Sequence, residues 1–179
     1  MKASVYIATS LDGFIARPDG AIDWLPVGES EPGVEDYGYR EFMDSVDYLV
    51  MGRGTFEVVL SFGGEWPYGE KRLVVLSSRP VEIPDRLAGT VEWLSGSPQA
   101  VVDRLAERGA QHLYVDGGKT IQGFLAAGLI QHLTITRIPI LIGEGLPLFG
   151  PVPHDIKLNH IETRSFANGL VQSRYEVAG

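Results

Sequence analysis

Six short apolar runs recur along the chain, and the stretches between them repeat apolar residues at helical spacing. Several of the runs are continuous rather than alternating, which is typical of strands that are buried on both faces of a parallel sheet. They cover residues 5–9, 48–51, 73–76, 91–94, 112–115 and 133–138. Strands of this kind, alternating with helices, predict an α/β fold with a mostly parallel sheet.

Capping residues mark the ends of the predicted helices. Ser97-Pro98 is typical of an N-cap followed by the first helical residue, and Gly109 suits the left-handed position that ends a helix. Further helices are predicted after Gly117-Gly118, across residues 34–46, and from about Thr55.

The C-terminal part of the chain changes pattern. Asn168-Gly169 is a two-residue hairpin signal, and beyond it residues 171, 173, 175 and 177 alternate with more polar neighbours. An antiparallel hairpin is therefore expected on the otherwise parallel sheet. The 179 residues fit a single domain, in which the long loops at 17–33 and 63–69 are candidates for functional lids.

Charge and cysteine content narrow the class of protein. The chain carries a net charge of −8 and no cysteine, which excludes disulfides and thiolate chemistry and is consistent with a reducing cytoplasm. It has no basic cluster, no apolar run of membrane-spanning length, and four histidines without metal-ligand spacing. We therefore expect no nucleic-acid partner, no membrane partner and no metal.

Three predicted strands run into segments that suit phosphate binding. Asp116-Gly117-Gly118-Lys119-Thr120-Ile121 brings two glycines and then opens a helix, whose N-terminal N–H groups attract anions. Met51-Gly52-Arg53-Gly54-Thr55 repeats this arrangement with an arginine, and Leu76-Ser77-Ser78-Arg79 adds hydroxyl groups. Taken singly, each segment is also explained as an ordinary turn or helix cap.

The combination of the three segments is more informative than any one of them. Ligands of open α/β sheets bind at the carboxyl ends of the strands, so the segments together predict one extended, multiply phosphorylated cofactor. The spacing lacks the G-x-G-x-x-G pattern, which argues against an ordinary Rossmann dinucleotide site. A fourth segment, residues 9–16, leads into Asp23-Trp24-Leu25 and could cover such a cofactor; alternatively, it is a connecting loop with Trp24 packed on the core.

The order of these motifs resembles the reductase domains of the riboflavin deaminase–reductase family, and more closely their stand-alone, dihydrofolate-reductase-like bacterial relatives. The resemblance covers nearly the whole chain. It implies an eight-stranded mixed sheet, NADPH as hydride donor and a homodimer. The motifs that carry it are Ser10-Leu11-Asp12-Gly13, Asp23-Trp24, Met51-Gly52-Arg53-x-Thr55-x-Glu57, Leu76-Ser77-Ser78, Asp116-Gly117-Gly118, Gly143-Glu144-Gly145 and Pro147-Leu148-Phe149.

The same resemblance implies roles for individual residues. The adenosine phosphates and pyrophosphate would lie on the three strand-end segments, the nicotinamide against residues of the first strand and its loop, and the substrate near residues 143–145. The chain departs from the family at Tyr6, where those reductase domains usually carry lysine, and we expect no deaminase domain ahead of it. The implied cofactor contacts are Ala8, Gly13, Ile15, Gly52, Arg53, Thr55, Leu76, Ser77, Ser78, Gly117, Gly118, Lys119, Thr120 and Ile121.

Hydride transfer to a C=N or C=O bond also requires a proton donor. Asp36 lies near the start of the helix predicted at 34–46 and would serve if burial raised its pKa. An acid at this position is equally expected from the helix dipole alone. Asp12 is the second candidate, with fixing its own loop through backbone hydrogen bonds as the alternative. Tyr37 and Tyr39 could stack on a planar substrate, although Tyr39 also fits the apolar face of the helix.

The sequence thus predicts an NADPH-dependent reductase of a small heterocyclic, ribitylamino-pyrimidine or pterin-like substrate. Dihydrofolate reductase activity is a narrower alternative within the same class. Two alternatives lie outside that class: a nucleotide-binding protein without catalysis, and an oligomeric structural module with vestigial sites.

Overall fold

The computed structural model describes residues 1–26 and 35–179. In this part of the chain the helices are α1 (Tyr39–Ser45), α2 (Arg53–Ser61), α3 (Pro98–Glu107) and α4 (Gly118–Ala126), with a 3₁₀ turn at Asp85–Leu87. The strands are β1 (Lys2–Ser10), β2 (Phe14–Ala16), β3 (Tyr48–Gly52), β4 (Arg72–Leu76), β5 (Val91–Leu94), β6 (His112–Asp116), β7 (His132–Ile138), β8 (Leu146–Pro147), β9 (Leu158–Ser165) and β10 (Val171–Val177).

Eight strands form one mixed sheet in the order β5-β4-β3-β6-β1-β7-β10-β9. The first six in this order are parallel to their neighbours, whereas β10 is antiparallel to both β7 and β9. This confirms the predicted α/β fold with its mostly parallel sheet and C-terminal antiparallel hairpin. The short ribbon of β2 and β8 is separate from the sheet, and no apolar pattern predicted it.

The sheet is covered on both faces, which explains the continuous apolar runs. On one face α3 and α4 pack their apolar side chains, including Leu105 and Phe124, which are fully buried. On the other face α2 contributes the fully buried Phe56, and α1 contributes the half-buried Tyr39 and Phe42. Strands between two apolar layers are apolar on both faces over most of their length. No helix in the described ranges has the length and apolar character needed to cross a membrane.

The cap predicted for α3 is confirmed. Ser97 Oγ accepts a hydrogen bond from Ala100 N at 3.2 Å, and Pro98 is the first helical residue. Gly109 follows the helix with φ of 86°, a conformation that side chains other than glycine rarely adopt.

The helix predicted at residues 34–46 is shorter than expected. Val34 lies outside the described residues, and α1 begins only at Tyr39. Tyr37 and Gly38 have φ of 58° and 83°, which are incompatible with a right-handed helix. Val46 is already extended. The prediction was wrong here because helical spacing of apolar residues does not reveal a backbone that turns left-handed before the first turn.

Candidate active site

The three predicted phosphate-binding segments lie side by side in the structure. They follow β4, β3 and β6, which are consecutive strands of the sheet, and β1 comes next. Leu76 pairs with Gly52, and Met51 pairs with Asp116. Because these strands are all parallel, their carboxyl ends open onto the same edge, where α/β sheets bind their ligands.

The N-termini of α2 and α4 are in contact at this edge. A Cβ atom at Gly52 would lie 2.9 Å from Thr120 Oγ1, and one at Gly117 would collide with Thr55 Oγ1. Gly117 also has φ of 90°, so protein packing and backbone conformation both require glycine there. Neither helix has a side-chain cap. The N–H groups of two adjacent first turns therefore lack side-chain partners at one place.

Exposed cations and hydroxyls surround these helix ends. Arg53 is the first residue of α2, and its Nε lies 3.5 Å from Glu57 Oε1. Lys119 lies exposed in the first turn of α4. Beside them, Ser77 Oγ accepts a hydrogen bond from Arg79 N at 3.2 Å, and Ser78 is exposed. The arrangement suits an extended anion, with which Glu57 would compete for the guanidinium group.

Asp12 ties two loops together beside the end of β1. Ser10 Oγ donates to Asp12 Oδ1 at 2.5 Å, and Gly143 N donates to Oδ2 at 2.8 Å. The Ser10 hydroxyl is the main reason that the pKa of Asp12 is lowered, and the Gly143 amide adds to it. A carboxylate that stays ionised and accepts these bonds is a loop anchor, so the contacts favour that alternative over proton donation.

Of the residues expected to border the nicotinamide, Ile15 lies against the start of α4. A Cβ atom at Gly118 would lie 3.1 Å from Ile15 Cδ1, so β2 closes onto this helix end. Ala8 packs against the cluster around Trp24. Trp24 is 8% exposed, and its Nε1 has no hydrogen-bond partner among the described residues. This indole is packed on the core, as the alternative interpretation of its loop expected.

Asp36 lies on the surface just before α1. Its carboxylate accepts hydrogen bonds from Gly38 N at 3.0 Å and Arg40 N at 3.3 Å. These two N–H groups hold the pKa of Asp36 below its usual range. Both properties are the opposite of what a proton donor near neutral pH needs, so the geometry favours the helix-dipole explanation.

Asp116 has the properties that Asp36 lacks, although the sequence analysis named it only as part of a turn. It ends β6, and its Oδ1 accepts a hydrogen bond from Gly117 N at 2.8 Å. Burial raises the pKa of Asp116 to about 6, against the opposing effect of that N–H group. The sequence did contain a signal for the placement of Asp116. Side chains alternate along a strand, so residues 112, 114 and 116 lie on the same face of the sheet.

Three phenols lie near enough to this carboxyl for its charge to affect their pKa values. Burial raises the pKa of Tyr39 to about 12, and the nearby charge of Asp116 contributes to the rise. Burial and Asp116 together also raise the pKa values of Tyr68 and Tyr114. The site therefore places a protonatable carboxyl near an aromatic cluster of Tyr39, Tyr68 and Tyr114, directly beside the Gly117-Gly118 turn.

Tyr6, at the position where the resemblance expected lysine, belongs to the same aromatic cluster. Its ring stacks on Phe42 with centroids 5.0 Å apart and lies 5.5 Å from the ring of Tyr39. Its hydroxyl donates to Tyr37 O at 2.7 Å and accepts from Gln172 Nε2 at 3.2 Å. Burial raises the pKa of Tyr6 to about 12, so this side chain is neutral at physiological pH.

Comparison with known proteins agrees with this architecture. The RibD C-terminal domain family matches residues 2–172. YwjB of Bacillus subtilis (strain 168), an uncharacterized protein, is 34% identical over 170 residues, which cover 94% of each chain. A solved structure from Shewanella sp. PV-4, provisionally assigned to riboflavin biosynthesis, is 41% identical, covers 100% of both chains and superposes with a TM-score of 0.92.

A more distant match extends the likeness of fold. Dihydrofolate reductase from Enterococcus faecalis, solved with NADP(H), is 15% identical and covers 99% of this chain and 97% of its own, with a TM-score of 0.67. The fold is therefore dihydrofolate-reductase-like. With a family match that spans nearly the whole sequence, the chain belongs to the RibD C-terminal domain family.

Proposed function

We propose that the protein is an NADPH-dependent reductase of a small heterocyclic substrate, in which Asp116 supplies the proton. The observation that carries this proposal is the carboxyl of Asp116, a half-buried residue that ends β6 beside the anion-binding edge of the sheet. Desolvation raises the pKa of this carboxyl to about 6. Membership of the RibD C-terminal domain family and the resemblance to riboflavin-pathway reductase domains support the reaction class.

The residues at the sheet edge fit a phosphorylated dinucleotide. The uncapped first turns of α2 and α4 offer N–H groups to a pyrophosphate. Arg53, with Ser77 and Ser78 on the neighbouring strand end, suits the 2′-phosphate that distinguishes NADPH from NADH. When bound, NADPH supplies the hydride. Ala8, Gly13 and Ile15 would border the ring that delivers it.

The protonation step is assigned to Asp116 because of its burial and position. A carboxyl with a pKa near 6 is partly protonated at neutral pH and can pass its proton to a substrate nitrogen or oxygen. The adjacent carbon takes the hydride, and solvent then reprotonates the carboxylate. Tyr39 and Tyr68 lie near enough to Asp116 for its charge to raise their pKa values, and their rings suit a planar substrate.

The decisive experiment follows NADPH oxidation by absorbance, with 5-amino-6-(5-phosphoribosylamino)uracil or dihydrofolate as the acceptor. Wild-type kcat/KM is expected to fall about tenfold per pH unit above pH ~6 as Asp116 ionises. Asp116→Asn should lower kcat by roughly 10²- to 10⁴-fold and abolish that pH dependence, because the amide cannot donate an acidic proton. The affinity for NADPH should stay unchanged.

Asp36→Asn is the matched control, since it removes a carboxylate from the same face without touching the buried site. Full activity in Asp36→Asn together with loss of activity in Asp116→Asn supports the assignment. The reverse result would identify Asp36 as the proton donor. Turnover of dihydrofolate alone would select the dihydrofolate reductase alternative. NADPH binding without turnover of any acceptor would favour a nucleotide-binding protein without catalysis.

A further inference from the structure

Helix α1 forms one wall of the proposed substrate pocket but is poorly anchored by its own packing. It has seven residues, none of which is fully buried. Helices this short are not stable without tertiary contacts. Its C-terminal end is held by His112 Nδ1, which lies 2.9 Å from Ser45 O, and by Lys71 Nζ, which donates to Val46 O at 2.8 Å. At its N-terminal end the Asp36 carboxylate accepts hydrogen bonds from Gly38 N and Arg40 N, but these bonds are local and do not tie the helix to the sheet.

Tyr37 provides that connection through a set of contacts that we name the Tyr37 clamp, formed by Tyr6, Phe166, Asn168 and Gln172. The Tyr37 carbonyl accepts hydrogen bonds from Tyr6 Oη at 2.7 Å and Gln172 Nε2 at 3.1 Å. Its hydroxyl accepts from Asn168 Nδ2 at 2.7 Å. Its ring meets Phe166 edge-on, with centroids 4.8 Å apart.

The backbone of Tyr37 shows why such a clamp is needed. With φ of 58°, Tyr37 occupies a left-handed conformation that a bulky side chain rarely adopts. A strained residue persists only where its surroundings over-determine it. Three of the four clamp residues come from the C-terminal hairpin, and Gln172 is 3% exposed. The hairpin therefore fixes the residue from which α1 starts.

We infer that the C-terminal hairpin is a positioning element for the substrate wall, with Gln172 as its central positioning residue. The hairpin holds Tyr37, which lies just before the start of α1. Helix α1 in turn positions the rings of Tyr39 and Phe42 against Tyr6, with Tyr39 near the Asp116 carboxyl. The consequence for acceptor binding rests on the reductase function proposed above. The consequence for the order of α1 does not.

Hydrogen exchange measures directly whether the hairpin keeps α1 ordered. In Gln172→Met, which keeps the shape of the side chain but removes its donor, the α1 amides should exchange about tenfold faster, the effect of losing one to two net hydrogen bonds. Amides of β1, β6 and β7 should keep their protection. Arg174→Gln on the same strand is the control, because it breaks only the exposed Arg174–Glu162 pair.

Steady-state kinetics measure the effect of the hairpin on acceptor binding. The acceptor is dihydrofolate or 5-amino-6-(5-phosphoribosylamino)uracil, whichever supports turnover. Gln172→Met should raise the KM for that acceptor about tenfold while the Kd for NADPH stays unchanged. Asn168→Ala should act in the same direction, and Asn168→Asp should restore the wild-type KM because a carboxylate accepts the proton of the Tyr37 hydroxyl.

The outcomes separate the two proposals. Faster exchange in α1 without turnover of any acceptor overturns the reductase but keeps the clamp. Unchanged α1 exchange in both Gln172→Met and Asn168→Ala overturns the clamp, as does an equal KM rise in Arg174→Gln. Because Asn168 is exposed, its variants keep the test available if Gln172→Met fails to fold.

Discussion

His112 is a single residue whose burial gives the protein a pH-dependent stability. It is 6% exposed, and its Nε2 lies 2.7 Å from Ser4 Oγ. Burial lowers its pKa below the usual value of about 6.5. Stability from the neutral ring is thus complete above pH ~6.5 and declines as the pH falls from there towards the lower folded-state pKa, because only the unfolded chain gains a proton in that interval.

Asp116 acts in the opposite sense, because its raised pKa favours folding as the pH falls below about 6. Because Asp116 is present in both proteins, the difference in free energy of unfolding between the wild type and a His112 variant isolates the contribution of His112. His112→Gln, which cannot titrate, should cost roughly 1 kcal/mol at pH 7.5 and progressively less towards pH 5, as measured by urea unfolding. A constant difference across this range would contradict the assignment.

Individual site residues were only partly predictable from the sequence. Asp116, Gly117 and Gly118 were quoted as a motif, but the motif gave no information on burial. Asp36 and Asp116 are the same residue type, and what separates their pKa values is tertiary: Asp36 accepts two N–H bonds on the surface, whereas Asp116 is desolvated at the end of β6. The Tyr37 clamp joins residues some 130 positions apart, which no local pattern contains.

At the scale of elements, the paired N-termini of α2 and α4 carry the cofactor hypothesis. If they bind the phosphates of NADPH, the ligand should raise the free energy of unfolding by about 2.7 kcal/mol at 100 times its Kd. Arg53→Ala should remove most of this gain and most of the preference for NADPH over NADH. Thermal unfolding with each cofactor measures both effects.

Arg104→Ala provides the control for that experiment, since Arg104 is an exposed arginine in the last turn of α3, away from the strand ends. Equal losses in the two variants would indicate a general charge effect and would contradict a site at Arg53. Unchanged stability of the wild-type protein with NADPH, NADP and NADH would remove the cofactor hypothesis altogether.

Elements were more predictable than residues, for an identifiable reason. A strand between two apolar layers is apolar over most of its length, so all six parallel strands were visible as runs. Capping chemistry located α3 because Ser97 and Gly109 act locally. The two-residue strand β8 and the start of α1 depend on contacts with distant segments, and both escaped the pattern.

At the scale of the whole molecule, the edge strand β9 is the feature that points to a homodimer. It has eight residues, seven of them exposed, and it ends the sheet in the described part of the chain. Leu158 and Ile161 are 41% and 52% exposed on it. Long edge strands with exposed apolar residues invite pairing with another chain. A second copy of this chain is the partner that the resemblance implies.

A dimer through β9 would also brace the hairpin that carries the Tyr37 clamp. Ile161→Lys should therefore halve the mass seen by light scattering and, in the same protein, raise acceptor KM while NADPH affinity is retained. Phe62→Lys, at a residue that is 57% exposed on a different surface, should leave the mass unchanged. A wild-type monomer at micromolar concentration would contradict the dimer, and the hairpin would then have to hold α1 by its own sheet contacts with β7.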